Sequence, residues 1–280
     1  MRNLPSKEFT NWRFIKCDVN DYKSFSEVML SFHFDYVFHY AAVVGVKRTQ
    51  EHPIKVLNDI KGLENVLTLS KNTNVKRVFY SSSSEVYGEP TELPQNEQTT
   101  PLNSRLPYAI VKNLGESFLR SYHKEYGLEY TIFRFFNTYG PKQNTDFVMS
   151  RFIRWANRNE NIRIYGDGLQ KRTFCFIDDN IQACINAFYK DHYVNDVVNI
   201  GSDYEMSILK LAKTVIKITN SQSEILFLPP LEEGDMKRRF PDVRKMLVLL
   251  GRKPVLIEEG IKRTIESPLF QSYIDQENEK

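Results

Sequence analysis

VKRVFYSSSSEVYG, residues 75–88, joins two unlike kinds of sequence. The first half is a compact apolar run, Val78, Phe79 and Tyr80, of the composition expected of a buried strand. The second half is four small hydroxyls that run straight into a glutamate and a tyrosine. Such a run is either a bland strand end with satisfied hydroxyls or a set of donors aimed at a ligand. Beyond it, LPYAIVKNLGE opens a helical pattern with Tyr108 and Lys112 four residues apart.

Working outward, the same strand-like composition recurs in WRFIKC (12–17), DYVFHYAA (35–42) and YTIFRFF (130–136). Helical patterns lie between these runs, at 53–71 and 108–126. In the first, Pro53 suits a helix start, and Ile54, Leu57, Ile60, Leu63 and Leu67 fall on one face. Repeated strand-then-helix units predict an α/β fold, a Rossmann-like parallel sheet with helices on both faces. Ligands of such sheets bind beyond the carboxyl ends of the strands. That rim would carry Asp18, Ala41, Ala42, Ser81, Ser82, Ser83, Ser84 and Asn137. After Gly140 the rhythm loosens. An amphipathic helix at 146–158 precedes a turn-rich YGDGLQKRTF, helices near 181–189 and 208–217, and a proline- and charge-rich loop at 228–242. The tail ENEK is expected to fray. The expected division is a nucleotide-binding domain over 1–140 with parts of 165–200, and a smaller substrate-binding lobe over 141–280, with a cleft between them.

Bulk properties narrow the function. The 280 residues are 41% hydrophobic and carry a net charge of +3 without a basic block, so nucleic acid is not expected as a partner. Cys17, Cys175 and Cys184 lack C-x-x-C spacing and read as reduced thiols of a cytoplasmic protein. The five histidines form no ligand cluster, so no catalytic metal is expected. The first residues are too polar for a signal peptide, and no apolar run approaches the roughly 20 residues of a membrane helix.

The spacing of Tyr108 and Lys112 stacks a phenol and an ammonium on one helix face. A free phenol, with a pKa of about 10, is a poor base at neutral pH, and a nearby ammonium favours its ionised form. Tyr108 can then take a proton from a sugar hydroxyl. Ser83 is the hydroxyl expected beside the same sugar oxygen, and Glu85, after Ser84, can carry a second proton. Taken singly, the pair is a common helix pattern, Asp18 a turn residue, Asn137 a turn and Arg172 a surface charge.

Read in order, SSSSEVYG, YAIVK, FRFFNTYGP, IYGDGLQKRTFCFIDD and VVNIGS resemble the extended short-chain dehydrogenase/reductase family of nucleotide-sugar enzymes, from Phe14 to about Ile265. The resemblance implies an NAD that takes hydride from sugar C4 and later returns it. It implies that Tyr108 is the base, that Lys112 holds the nicotinamide ribose, and that Ser83 sits beside the sugar. Asp18, with Val19 beside it, would meet the adenine. Ala41 and Ala42 would let the cofactor approach the backbone, Asn58 would support that strand end, and Ser81 would lie on the cofactor side. Asn137, Arg172 and either Arg238 or Arg239 would hold a nucleotide-diphosphate sugar, in the first instance a UDP-sugar. A homodimer through helices at 56–69 and 108–126 is implied by the same analogy.

Dehydratases of the family carry Asp-Glu where this chain has Ser84-Glu85, so dehydration is disfavoured. The expected reaction is UDP-hexose 4-epimerisation, with UDP-glucuronate decarboxylation as the alternative. Lys47 or Arg48 could meet a sugar carboxylate, though a solvated face is the plainer reading. Family members open with a strand and a G-x-x-G-x-x-G loop that cradles the NAD pyrophosphate. No such glycine cluster occurs in these 280 residues. The nucleotide-binding domain is therefore expected to be N-terminally truncated, by about two strands and a helix, and to bind NAD weakly. The contrasting expectation is a non-catalytic protein that keeps the sugar-nucleotide cleft and pairs with a longer relative.

Overall fold

The computed structural model describes residues 4–5, 8–45, 49, 51–230 and 238–271. Its helices are α1 (Tyr22–Phe32), α2 (Pro53–Leu57), α3 (Asp59–Asn72), α4 (Pro107–Tyr126), α5 (Val148–Asn157), α6 (Ile177–Tyr189), α7 (Ile208–Thr219), α8 (Arg244–Leu250) and α9 (Ile257–Glu266). Its strands are β1 (Tyr36–His39), β2 (Arg77–Ser83), β3 (Glu129–Phe135), β4 (Thr138–Tyr139), β5 (Ile162–Tyr165), β6 (Lys171–Thr173), β7 (Cys175–Phe176), β8 (Asp196–Ile200), β9 (Glu205–Ser207) and β10 (Ile225–Leu228).

Four strands form one parallel sheet in the order β1–β2–β3–β8. Val78, Tyr80 and Ile132 pack beneath Met29 of α1, Leu63 and Leu67 of α3, and Leu119 of α4. On the opposite face Phe79, Phe133 and Val198 meet Ala183 and Ala187 of α6 and Met246 and Leu249 of α8. Burial on both faces is why these strands are almost continuously apolar. A separate core, with Phe152 and Trp155 of α5, Ile164 of β5, Leu211 and Val215 of α7 and Ile261 of α9, forms the rest of the chain. The α/β architecture expected from the sequence is therefore present. α8, from the region expected to form the substrate lobe, packs on the sheet because Met246 and Leu249 complete its second face.

The strand expected over WRFIKC is not formed, and Phe14 and Ile15 are 46% and 41% exposed. A strand needs a partner, and the outer edge of β1 takes none among the described residues. The helix expected over 53–71 is two helices, α2 and α3, meeting at Asn58. α6 starts at Ile177, four residues earlier than its apolar pattern suggests, with Asp178 and Asp179 in its first turn, where carboxylates complement the helix dipole. Lys47, Arg48 and the ENEK tail lie outside the described residues.

Candidate active site

β2 and α4 build the centre of the site. Ser82 follows Val78 and Tyr80 onto the α4 face, where its hydroxyl donates to Glu116 at 2.6 Å. β2 ends in a 3-10 turn over Ser84–Tyr87, where Ser83 Oγ accepts from the Glu85 amide at 3.2 Å. Gly88 closes that turn at φ 65, where an added Cβ would strike the backbone of Asn103 and Ser104. Pro107 starts α4 and presents Tyr108 and Lys112 to the strand end.

Tyr108 and Ser83 both line the cleft at the strand end, near enough that the Ser83 hydroxyl favours the ionised phenol. Lys112 Nζ donates to the Ser81 carbonyl at 2.6 Å and reaches the Ser81 hydroxyl at 3.4 Å. The same ammonium stands 5.0 Å from the Tyr80 ring centre and 5.7 Å from that of Tyr108. All of these but Tyr80 line a cleft of about 1240 Å³, together with Ser84, Glu85, Asn137 and Arg239.

Electrostatics correct one expectation. Tyr108 keeps part of its surface open to the cleft, yet desolvation around its hydroxyl pushes the phenol up to about 12. The Ser83 hydroxyl and Arg239 pull the other way, while Glu85 and Asp59 add to the rise. Burial pushes Lys112 down to about 8, with Asp59 opposing. The ammonium therefore does not bring the phenol below its ordinary value in this state. The lysine is turned to the Ser81 carbonyl, and desolvation outweighs the polar contacts of the tyrosine.

The other expected residues divide. Asn137 lines the cleft and donates through Nδ2 to the Thr173 carbonyl at 3.1 Å. The two adjacent arginines differ in placement. Arg239 is buried and pairs with Glu85 at 2.7 Å, whereas the exposed Arg238 pairs with Glu205 at 2.6 Å. Arg172 is buried on β6, outside the cleft wall, and donates to the Lys171 carbonyl. Asp18, Val19, Ala41, Ala42 and Asn58 also fall outside the wall. Asp18 is exposed, its carboxylate accepting from the amide and side chain of Asn20 at 2.9 and 3.1 Å. Without a strand there, nothing carries Asp18 to the rim. Asn58 is exposed as well. The side chain that holds the backbone after β1 is its neighbour Asp59, which accepts from the Val43 amide at 2.6 Å. Sequence reading missed Asp59, although it sits in the same motif. Phe38 and Tyr40, which line the cleft from β1 and just beyond it, were read only as strand residues.

The model of the NAD dependent epimerase/dehydratase family matches residues 2–201. The chain belongs to this family. UDP-glucuronic acid decarboxylase 1 of Danio rerio is 34% identical over 240 residues, covering 83% of this chain and 56% of that protein. The chain thus spans little more than half the length of that relative. Among solved structures, the UDP-glucose 4-epimerase of Thermotoga maritima with UDP-glucose matches at a TM-score of 0.87 and 30% identity, over 93% of this chain and 85% of the other. The UDP-glucuronic acid 4-epimerase of Bacillus cereus, in complex with UDP-glucuronic acid and NAD, matches at 0.83 and 28%, over 96% and 83%.

The family's cofactor can be tested against the residues present. At the strand ends, Ser81, Tyr108 and Lys112 offer the cleft two hydroxyls and an ammonium with three donor positions. These groups fit the nicotinamide-ribose end of NAD. At the other end, Asp18 is occupied by its own turn, and no glycine-rich turn stands among the described residues to supply backbone N–H groups to a pyrophosphate.

Proposed function

We propose that the chain oxidises C4 of a UDP-hexose and carries the 4-keto sugar to product, with 4-epimerisation as the reaction. The observation that carries this reading is the convergence of the Tyr108 and Ser83 hydroxyls in one cleft, backed by Lys112. NAD, when bound, supplies the two-electron oxidant, and Lys112, Tyr108 and Ser81 would hold its nicotinamide-ribose end. Tyr108 takes the proton of the sugar 4-hydroxyl. Ser83, beside the same phenol, favours the phenolate and orients the sugar oxygen. Asn137 and Arg239 meet the nucleotide-diphosphate end, the latter with a guanidinium suited to phosphate oxygens. Arg172 joins them only if its side chain swings towards the cleft.

A second reading, UDP-glucuronate decarboxylation, is favoured by the Glu85–Arg239 pair at 2.7 Å. In that reaction the 4-keto group would take up the electrons released with carbon dioxide, with Glu85 at the cleft wall and Arg239 kept for the diphosphate. The likeness to the Danio rerio decarboxylase supports the same reading.

Incubation with millimolar NAD and either UDP-glucose or UDP-glucuronate, followed by chromatography of the nucleotide sugars, tests both readings. UDP-galactose supports epimerisation, and UDP-xylose with carbon dioxide supports decarboxylation. UDP-sugar binding without turnover would replace both with the non-catalytic reading. We further infer a cytoplasmic homodimer. No helix among the described residues is long and apolar enough to cross a membrane. The neighbouring helices α2 and α4 expose Ile54 (70%), Ile110 and Leu114 (each 44%), a face that a second copy would cover. Sedimentation equilibrium should give twice the chain mass, and Leu114→Asp should give the monomer.

A further inference from the structure

Beneath the cleft lies a buried polar cluster that the reaction scheme does not use. Arg134 of β3 is 1% exposed, and its guanidinium donates in four directions. Nε and Nη2 reach the two carboxylate oxygens of Glu116 at 2.8 and 2.7 Å. Nη1 reaches the Tyr87 hydroxyl at 2.9 Å and the Glu97 carbonyl at 3.3 Å. Glu116 also accepts from Ser82, and Tyr87 donates onward to Asn199 Oδ1 at 2.7 Å.

We propose that Arg134 is a positioning residue that holds the Ser83–Glu85 segment from both ends and ties it to the strap carrying Arg239. Ser82, held through Glu116, lies immediately before the segment. Tyr87, held directly, lies two residues after it. Asn199 continues the chain, donating to the carbonyls of Gln95 and Asp242 at 2.9 and 3.3 Å. Gln95 in turn exchanges backbone hydrogen bonds with Phe240 and Asp242 at 2.7 and 2.8 Å, and so clamps the residues that follow Arg239. The Glu85–Arg239 contact therefore spans two supports joined by one guanidinium.

Physical chemistry favours a directional role over a stabilising one. Desolvation offsets most of the attraction within a buried ion pair, so the Arg134–Glu116 pair adds little net stability. Its planar fork instead fixes angles that an apolar pair of the same volume would leave loose. A small displacement of Ser83 relative to Tyr108 is then a catalytic defect, not a folding defect.

This inference rests on the proposed C4 oxidation, so its test carries a second readout. Arg134→Lys keeps the charge but loses the fork, and Tyr87→Phe keeps the ring against Phe136 but removes the hydroxyl relay. Each should lower kcat about tenfold or more while KM stays within about twofold; the urea midpoint falls as well, because each variant leaves a buried partner unpaired, so the kcat-against-KM split is the deciding readout. Unchanged kcat in both variants, or a change confined to KM, overturns the proposal. If Arg134→Lys fails to fold, Tyr87→Phe alone decides the kinetic comparison. If the wild-type chain turns over no UDP-sugar, the functional reading fails by itself and hydrogen exchange judges the positioning role. The Glu85 and Gly88 amides, bonded to Ser83 Oγ and the Glu85 carbonyl, should then exchange about tenfold faster in Tyr87→Phe while β3 amides keep their rates. Equal rates at Glu85 and Gly88 overturn it.

Discussion

Tyr108 and Lys112 are displaced in opposite directions by the same cause. Desolvation penalises a phenolate and an ammonium alike, so the phenol rises to about 12 and the amine falls to about 8. Two expected outcomes follow. Ser83 favours the phenolate, so Ser83→Ala should raise Tyr108 further. A rate that depends on phenolate climbs with pH through that pKa, so the pH profile should move to the alkaline side. The rate at neutral pH should fall by about 10²-fold. Initial rates of UDP-glucose conversion across pH check this, and an unshifted profile would count against the proton path. Lys112 gives a stability signature. Between pH about 8 and 10.5 the unfolded chain holds a proton that the folded chain has released, so stability from this group rises with pH across that window. Below pH 8 the cost of charging the buried amine is complete, on the order of 3 kcal/mol at most. Between neutral pH and about pH 10, urea unfolding should show the wild type gaining stability relative to Lys112→Met, the comparison cancelling the opposite contribution of buried Cys175 and Cys184, whose pKa values are raised. An equal rise in both would contradict the assignment.

At the scale of elements, the site depends on how closely α4 lies on β2. Gly115 permits that approach. A Cβ there would stand 2.7 Å from Tyr80 Cζ and 2.8 Å from Leu63 Cδ2, closer than real contacts allow. Gly115→Ala should gain about 1 kcal/mol of helix propensity and lose more to overpacking, about 1–3 kcal/mol, with Tyr80 pushed away from Lys112. A lowered urea midpoint together with a reduced kcat is the expected result, and an unmoved midpoint would show that the helix yields freely. Elements of this kind were legible because their signals are local. Val78–Tyr80 and 130–133 carry the apolar continuity of a sheet covered twice, and Pro107 marks a helix start. WRFIKC carries an equally good strand signal, but a strand is made by its neighbour, and composition says nothing of neighbours. The choice between Arg238 and Arg239 was closed to sequence for a related reason. Which of two adjacent side chains turns inward depends on what pairs with each, Glu205 or Glu85, and both partners are distant in the chain.

For the whole molecule, the described residues supply one end of a dinucleotide site more completely than the other. Calorimetric titration of the 280-residue chain with NAD should therefore give a Kd weaker than about micromolar. A micromolar or tighter value would mean that backbone amides outside the described cleft wall serve the pyrophosphate. That Ser83, Tyr108, Lys112 and Asn137 share one cleft was readable because they stand near where chain segments leave a sheet or enter a helix. Asp18, Ala41, Ala42 and Asn58 lie outside the described cleft wall, and their placement depends on long-range pairing around β1.

Among the described residues, the outer flank of β1 pairs with no strand, and this has a practical consequence of its own. Tyr36 to His39 present a row of amides and carbonyls on which another polypeptide can build, with the half-exposed rings of Phe38 and Tyr40 beside it. Only four residues long, that ledge is too brief to nucleate a fibre readily. As far as the described residues go, that ledge is where a foreign strand, in a crowded solution or during purification, would add.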